Sequence, residues 1–87
     1  MIVELAERGF AYVRYRVGER PVGSTLEVGG EGSEVLADVN DAGDVVGIEI
    51  VDVNVAENVE RARAFANDRW LAFPRNVVAA ARGASAA

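Results

Sequence analysis

Residues 34–53, EVLADVNDAGDVVGIEIVDV, decide the fold of this chain. Two runs rich in Val and Ile are separated by NDAGD, a composition typical of a tight turn. Asn40 and Asp41 form hydrogen bonds to nearby backbone in such turns, and Gly43 supplies the positive φ that they need. We therefore predict a β-hairpin with a four-residue loop. Its register places Val39 opposite Asp44, Ala37 opposite Val46 and Val35 opposite Ile48.

Side chains alternate between the faces of a strand, so this register gathers six apolar residues on one face. They are Val35, Ala37, Val39, Val46, Ile48 and Ile50. A shift by one residue would bury Asp38 and Glu49 instead, at a cost of several kcal/mol. The second face is only half polar, so we expect something to cover part of it. Leu36, Val45, Val51 and Val53 lie there beside Glu34, Asp38 and Glu49.

The closing strand of this hairpin resembles a motif of small prokaryotic proteins, the family called domain of unknown function 2283. That family combines a strand containing a central Tyr with a closing strand of the type D-x-x-G-x-[IV]-V-G-I-E-I. Residues 10–13, FAYV, match the first element, and residues 41–50, DAGDVVGIEI, match the second with one residue fewer between Asp41 and Gly43. The resemblance covers about residues 1–53, although the opening residues 6–9, AERG, depart from the usual Asp-Pro-Glu type. It implies a small β-rich domain and no assigned activity.

Length and composition indicate one globular domain. With 87 residues and 51% hydrophobic residues, the chain buries roughly 60% of its unfolded surface. It contains no Cys, which excludes disulfides and thiolate sites. No apolar run reaches the ~18 residues of a membrane span, and the N-terminus does not resemble a signal peptide. We therefore expect a cytoplasmic protein that does not enter membranes.

The charge is unevenly distributed. The net charge is −5, and all nine basic residues are Arg. Residues 1–53 carry 11 acidic and 4 basic side chains, hence −7, whereas residues 54–87 carry 3 and 5, hence +2. Clustered negative charge argues against binding nucleic acid through the sheet, because phosphate contacts need positive charge. It is compatible with a basic protein partner, although an ordinary soluble surface is the simpler explanation.

Three further strands precede the hairpin. Residues 1–5, MIVEL, form a first or edge strand, and residues 10–17, FAYVRYRV, alternate clearly between two faces. Residues 24–28 form a short strand, followed by a loop with Gly29, Gly30 and Gly32. The sequence therefore predicts an α+β fold: an antiparallel β-meander of four to five strands with one long C-terminal helix packed on one face.

The helix is predicted from the change of period after Val53. Asn54 is a favourable N-cap, and Glu57 completes a capping-box arrangement. Pro74 disfavours helical geometry at the preceding residue, so we expect a helix of about 18 residues ending near Ala72. Glu57–Arg61 and Glu60–Arg63 add a few tenths of a kcal/mol each. The apolar stripe consists of Val55, Val59, Ala62, Phe65, Ala66, Trp70 and Phe73.

We assign residues 1–74 to a single domain and residues 75–87 to an Ala-rich C-terminal tail. The tail contains Val77 and Val78 as its only large apolar residues. Such a segment buries little surface by itself. We expect part of it to form a short helix that packs on the sheet or on a partner subunit.

The residue types that are missing exclude most common catalytic sites. Without His or Cys there is no Ser–His or Cys–His nucleophile pair and no zinc site built on those ligands. Without Lys there is no Schiff-base chemistry and no phosphate-loop lysine. Carboxylates, Tyr12 and Tyr15 remain as acid–base groups. We assign no catalytic, cofactor-binding or metal-binding residue.

Four local patterns suggest a binding or catalytic site, and each has a simpler explanation. Asp38, Asn40, Gly43 and Glu49 fit positions 1, 3, 6 and 12 of a calcium loop, but Ala42 occupies a ligand position and the flanks are strands. Glu34 and Glu49 are expected opposite each other, where a general acid could arise, although an ion pair with Arg14 or Arg16 is simpler. The Gly29–Gly32 segment lacks a following helix N-terminus for phosphate. Arg61, Arg63, Arg69, Arg75 and Arg82 with Trp70 could contact nucleic acid, but Trp70 is expected in the core.

Two functional hypotheses follow. The first is a small non-enzymatic domain that self-associates through the half-apolar second face or a sheet edge. Its basis is the apolar surface of Leu36, Val45, Val51, Val53 and the Trp70–Phe73 end, which exceeds what one helix covers. The second is an acidic regulator of a basic protein, such as an antitoxin-like inhibitor of a small nuclease. A carboxylate-based hydrolase is a residual third alternative.

Overall fold

The computed structural model describes residues 2–5, 9–16, 18, 23–75 and 77. Within them the chain forms five β-strands followed by one α-helix. The strands are β1 (Ile2–Leu5), β2 (Ala11–Arg14), β3 (Ser24–Glu27), β4 (Val35–Val39) and β5 (Val45–Ile50), and the helix is α1 (Ala56–Asp68).

The five strands form one antiparallel sheet in the order β1-β2-β5-β4-β3. Neighbours in sequence pair in three hairpins, and the last strand, β5, lies between β2 and β4. The predicted α+β class with an antiparallel, meander-like sheet is therefore confirmed. The connection between β2 and β3 carries the chain from one half of the sheet to its far edge.

The central turn lies where the sequence predicts it. Asn40 accepts hydrogen bonds through its side-chain Oδ1 from the N–H groups of Ala42 (3.0 Å) and Asp44 (2.9 Å). The Gly43 N–H donates to the Asn40 carbonyl at 2.9 Å, and Gly43 has φ +86°. The Asx side chain and the positive-φ glycine therefore form the turn as expected.

The predicted register of the hairpin is wrong by two residues. Val39 lies opposite Val45, and beyond an irregularity at Asp38/Val39 Ala37 lies opposite Ile48 and Val35 opposite Ile50. The turn is one residue longer than predicted, which moves the pairing by one position. Val46 is an extra residue in β5, as in a β-bulge, and it moves the pairing by one more. The Val46 carbonyl accepts the N–H groups of Tyr15 (2.8 Å) and Arg16 (3.3 Å). This contact lies just beyond the end of β2, which ends three residues before the predicted Val17; Val17 itself is outside the described residues.

The shift of two residues preserves the alternation, so the predicted buried set is confirmed. Val35, Ala37, Val46, Ile48 and Ile50 are fully buried and Val39 nearly so. Two residues assigned to the second face are instead part of the core: Val45 is 8% exposed and Val53 1% exposed. Of the four apolar residues predicted on that face, Leu36 is half-buried and Val51 is 39% exposed.

Helix α1 packs on the face of the sheet formed by β4 and β5. Val59, Ala62, Phe65 and Ala66 are buried against the apolar residues of these strands. The helix has 13 residues instead of the predicted 18. It begins at Ala56 with Val55 in the N-cap position and no side-chain cap, so the predicted Asn54 cap is wrong. Asp52 instead accepts the Asn54 N–H through Oδ1 at 2.9 Å.

The helix ends at Asp68 because the backbone reverses at Trp70. Trp70 has φ +59°, the only positive φ outside glycine among the described residues. The Leu71 N–H donates to the Ala66 carbonyl (2.9 Å), and the Trp70 N–H to the Asn67 carbonyl (3.1 Å). This pair of bonds is the Schellman arrangement, in which glycine usually occupies the positive-φ position. The reversal lets Leu71 and Phe73 pack against the core and leaves Trp70 outside it.

The buried polar residue Asn58 ties the helix to both central strands. It is 4% exposed, and its Nδ2 donates to Glu34 Oε1 (2.9 Å) and to the Asp52 carbonyl (3.0 Å). Glu34 immediately precedes β4, and Asp52 follows β5 by two residues. One amide group therefore fixes the start of the helix relative to the two strands that it covers.

Arg75 and Val77 are the described residues of the C-terminal tail, and Val77 is buried in the core cluster at 1% exposure. The remaining tail prediction concerns residues outside those described. Among the described residues there is no helix with the length and apolar character needed to cross a membrane.

We predict that Asn58→Ala lowers the free energy of unfolding by about 1–3 kcal/mol, because it leaves the Asp52 carbonyl without its amide donor. Denaturant unfolding followed by circular dichroism measures the change. Asn67→Ala is the matched control, since Asn67 is an exposed residue of the same helix. Equal destabilisation by the two substitutions would show that the Asn58 hydrogen bonds contribute nothing specific.

Candidate functional site

The face of the sheet opposite α1 carries two rows of side chains that run across all five strands. We call these two rows the open face. The pairing gives the first row as Glu4, Tyr12, Glu49, Leu36 and Glu27. It gives the second row as Ile2, Arg14, Gly47, Asp38 and Thr25. Four carboxylates and one guanidinium therefore share this surface, which makes it acidic.

Tyr12 lies across the central strand and fills the space above Gly47. A Cβ atom at position 47 would collide with the Tyr12 ring. The Arg14 guanidinium lies 5.0 Å from the centroid of this ring and forms a bidentate ion pair with Glu4, with Nη2–Oε2 at 2.9 Å and Nε–Oε2 at 3.1 Å. Glycine on a central strand is typical of such a close approach by another group. The Tyr-containing strand and the glycine of the closing strand are thus one packing unit.

Each carboxylate oxygen of Asp38 accepts a hydrogen bond from a hydroxyl group. The Tyr12 hydroxyl donates to its Oδ2 at 2.9 Å, and the Thr25 hydroxyl donates to its Oδ1 at 2.8 Å. Burial, and then the hydrogen bond to Asp38, raise the pKa of Tyr12 well above its usual value. Tyr12 therefore stays protonated at neutral pH and acts as a fixed donor, which makes it unsuitable as a general base.

Glu49 lies at the centre of the open face, between Tyr12 and Leu36 on the middle strand of the sheet. Burial, and then the negative charge of Asp38, raise the pKa of its carboxyl group. Among the described residues its carboxylate has no hydrogen-bond or ion-pair partner. Its charge is therefore available to a cation brought by another molecule.

The carboxylate pair predicted from the sequence does not form. Glu34 precedes β4 and accepts a hydrogen bond from Asn58, whereas Glu49 lies opposite Leu36. The error follows from the two-residue shift in register. The arginines expected to pair with these glutamates bind other carboxylates: Arg14 pairs with Glu4, and Arg16 pairs with Asp44 at 3.1 Å.

The residues of the calcium-loop pattern form the β4–β5 hairpin. Asn40 directs its Oδ1 to two backbone N–H groups of the turn, and Asp38 binds two hydroxyls. In the described part of the chain no three acidic side chains converge as metal ligands would. The segment around Gly29–Gly32 is a loop between β3 and β4, and Glu27 Oε2 accepts the Gly32 N–H at 3.0 Å.

The predicted burial of Trp70 is wrong, because its side chain is 96% exposed. The arginines near it do not form a continuous basic surface. Arg61 pairs with Glu57 and Arg63 with Glu60. The Arg69 guanidinium lies 3.7 Å from the centroid of the Phe65 ring. Arg82 lies outside the described residues.

A groove of about 610 Å³ lies beside Trp70, where the end of β2 meets the central turn and the segment after α1. We call it the Tyr15 groove. Tyr15 donates its hydroxyl to the Ala72 carbonyl at 2.7 Å, and burial raises its pKa to about 12. The groove combines apolar and charged walls. Its lining includes Tyr15, Arg16, Asp44, Val45, Arg69 and Leu71.

The contacts among Tyr12, Asp38 and Thr25 could not be predicted from the sequence. Tyr12 and Asp38 are 26 positions apart, and their contact depends on β5 lying between their strands. The one signal was the glycine inside an otherwise β-branched strand, since Gly47 indicates a close neighbour on one face. Identifying that neighbour required the strand order.

We predict that Gly47→Ala destabilises the protein by about 1–3 kcal/mol, because the new methyl group displaces the Tyr12 ring. In a Tyr12→Ala background the same substitution should cost much less, since the collision is gone. Denaturant unfolding of both single variants and the double variant measures this coupling, expected at about 0.5–3 kcal/mol. Additive effects would contradict the packing of Tyr12 on Gly47.

We predict that Glu49→Gln slightly stabilises the protein at pH 7, by about 0.5 kcal/mol or less, because Glu49 is only partly buried. The pKa of Glu49 is raised in the folded state, so its ionisation opposes folding as the pH rises through that pKa. The gain should vanish below about pH 4, where the carboxyl is protonated in both states. Thermal unfolding at several pH values measures it. Glu31→Gln, at an exposed loop residue, controls for net charge, and an equal gain from it would contradict the assignment.

Comparisons of the chain with models of known families, with curated proteins and with solved structures gave no match. The similarity to domain of unknown function 2283 therefore stays a prediction from the sequence motif.

Proposed function

We propose that this chain is a small non-enzymatic interaction module whose open face binds a basic protein partner. The observation that carries the proposal is Glu49, a carboxylate without a partner among the described residues, at the centre of an acidic sheet face. Such a partner would regulate, or be regulated by, the module, as in an antitoxin-like complex. We propose a cytoplasmic location for it, as expected from the sequence.

The arrangement of charges on the open face supports binding over catalysis. The other functional groups are already engaged with each other: Arg14 with Glu4, and Tyr12 and Thr25 with Asp38. A fixed network of this kind presents a stable pattern of charge around Glu49, which is the one carboxylate among these described groups that is not engaged by a neighbour. Electrostatic complementarity mainly sets the specificity and the rate of association. Removing the charge of Glu49 should therefore slow association with a basic partner.

Leu36 and the Tyr12 ring flank Glu49 in the same row. Aromatic and aliphatic groups around a central charge are common where a few residues dominate the binding energy. An arginine of the partner fits this position best, because its planar guanidinium can bind a carboxylate through two hydrogen bonds and also pack on an apolar surface.

We predict that a basic protein captured from the native host by the wild type is lost with the double variant Glu27→Gln/Glu49→Gln. The loss is expected because both glutamates lie in the first row of the open face. The identified partner is then purified and titrated by isothermal calorimetry at two salt concentrations. We expect at least a tenfold weaker affinity for the variant and a weaker dependence on salt.

The matched control is Glu31→Gln/Asp41→Asn, which removes the same charge from exposed loop residues at the ends of the strands. It should bind as the wild type does. Equal losses for the two double variants would mean that only net charge matters, and a captured partner with an acidic surface would contradict the proposal directly.

Self-association is the second candidate function. Its original basis is weaker, because Val45 and Val53 are core residues and the open face is acidic. Like charges on two copies of that face would repel each other. The specific observation that favours self-association is elsewhere, in the exposed Trp70 and the groove beside it.

A further inference from the structure

Trp70 combines an unfavourable backbone conformation with an exposed side chain. Its φ of +59° lies in the left-handed region, which is unfavourable for a bulky L-residue, and its side chain is 96% exposed. The reversal at this position closes the helix, a role for which glycine is favoured. The helix terminus therefore gives no reason for a tryptophan here, and exposing an indole to water is unfavourable by itself.

A cavity for an indole lies on the same surface. The residues on either side of Trp70, Arg69 and Leu71, both line the Tyr15 groove. Its volume of about 610 Å³ falls in the range typical of pockets for small ligands. The apolar walls come from Tyr15, Val45 and Leu71. Trp70 itself is not a lining residue, so its own indole does not fill the groove that its two chain neighbours border.

We propose that Trp70 of one copy inserts into the Tyr15 groove of a second copy, and the reverse, in a two-fold symmetric dimer. A two-fold interface requires one patch to be complementary to itself, so a protrusion and a hollow must lie side by side on it. Trp70 and the groove that its chain neighbours border meet that requirement. The inference rests on the second candidate function, self-association, and it is independent of the open face.

The charges at the groove favour this contact. The groove carries Arg16, Arg69 and one carboxylate, Asp44, so it lacks the acidic charge of the open face. One face of the Arg69 guanidinium lies against the Phe65 ring at 3.7 Å. Its other face can stack on the indole of the second copy in a cation–π contact.

The size of the contact sets the expected affinity. Two exchanged indoles bury roughly 300–500 Å² in total, and the groove walls that they cover add about as much again. The sum lies below or near the lower limit of about 1,200 Å² for a stable interface. We therefore expect a dimer with a dissociation constant in the micromolar range.

The chain contains a single tryptophan, so its fluorescence reports directly on this residue. The wild type is examined from about 1 µM to 1 mM by sedimentation and by tryptophan emission. We expect dimer formation and a blue shift of the emission over the same concentration range. A monomer throughout, or a dimer whose tryptophan emission stays that of an exposed indole, overturns the proposal.

The decisive variant is Trp70→Gly. It removes the indole and replaces the strained residue by the one best suited to positive φ. We expect at least a tenfold weaker association together with a thermal midpoint roughly 4–8 °C higher in dilute solution, where both proteins are monomers. Trp70→Asn, which also tolerates positive φ, replaces it if the glycine variant does not fold.

Leu26→Ser is the matched control, because Leu26 is an exposed apolar residue on the edge strand β3. It should dimerise as the wild type does. If Leu26→Ser abolishes the dimer and Trp70→Gly does not, the copies associate through the sheet edge and the proposal fails. Neither Trp70 nor Leu26 belongs to the two rows of the open face. A failure of the basic partner to bind, with the dimer retained, therefore counts against the open-face proposal alone.

Discussion

The pairing of β4 with β5 determines what each face of this protein presents. Because side chains alternate along both strands, one choice of phase places Val35, Ala37, Ile48 and Ile50 under the helix. The same choice sends Asp38 and Glu49 to the other side. The hydrophobic core and the acidic surface are therefore two results of one constraint. A one-residue shift of either strand would bury a charged side chain in the core and would thereby remove its charge from the open face.

This constraint also explains how much of the fold could be predicted from the sequence. The position of the turn, the core residues of the hairpin and the face covered by the helix all depend on periodicity, which a single sequence shows. The exact partners did not follow, because Val46 is an extra residue in β5 and the turn is one position longer than assumed. Two shifts of one residue together leave the same side chains facing the core. The predicted core was therefore correct, although the predicted pairs were wrong. Val45 was misassigned because strict alternation fails at such a bulge.

The candidate sites could be predicted less well, because they depend on contacts between distant segments. Asn58 lies in the first turns of a helix, where a polar residue indicates solvent, and only the fold shows that it bridges Glu34 and Asp52. Trp70 continues a helical apolar stripe in the sequence. The backbone reversal that takes it out of the core is stabilised by the packing of Leu71 and Phe73, which periodicity does not reveal. The open face needed the strand order, since β5 joins two hairpins that are separate in the sequence.

The position of β5 has a consequence for how the chain acquires its structure. The last of the described strands to be synthesised is the middle strand of the sheet, and Arg14 pairs with Gly47, 33 positions later (47 − 14 = 33). Until that strand is made, the hairpin of β1 and β2 has no neighbour in the sheet, and β4 can pair only with β3. Contacts over such separations slow folding, because the intervening chain must close before they form. The hairpin of β1 and β2 and the hairpin of β3 and β4 therefore stay separate until β5 joins them into one sheet.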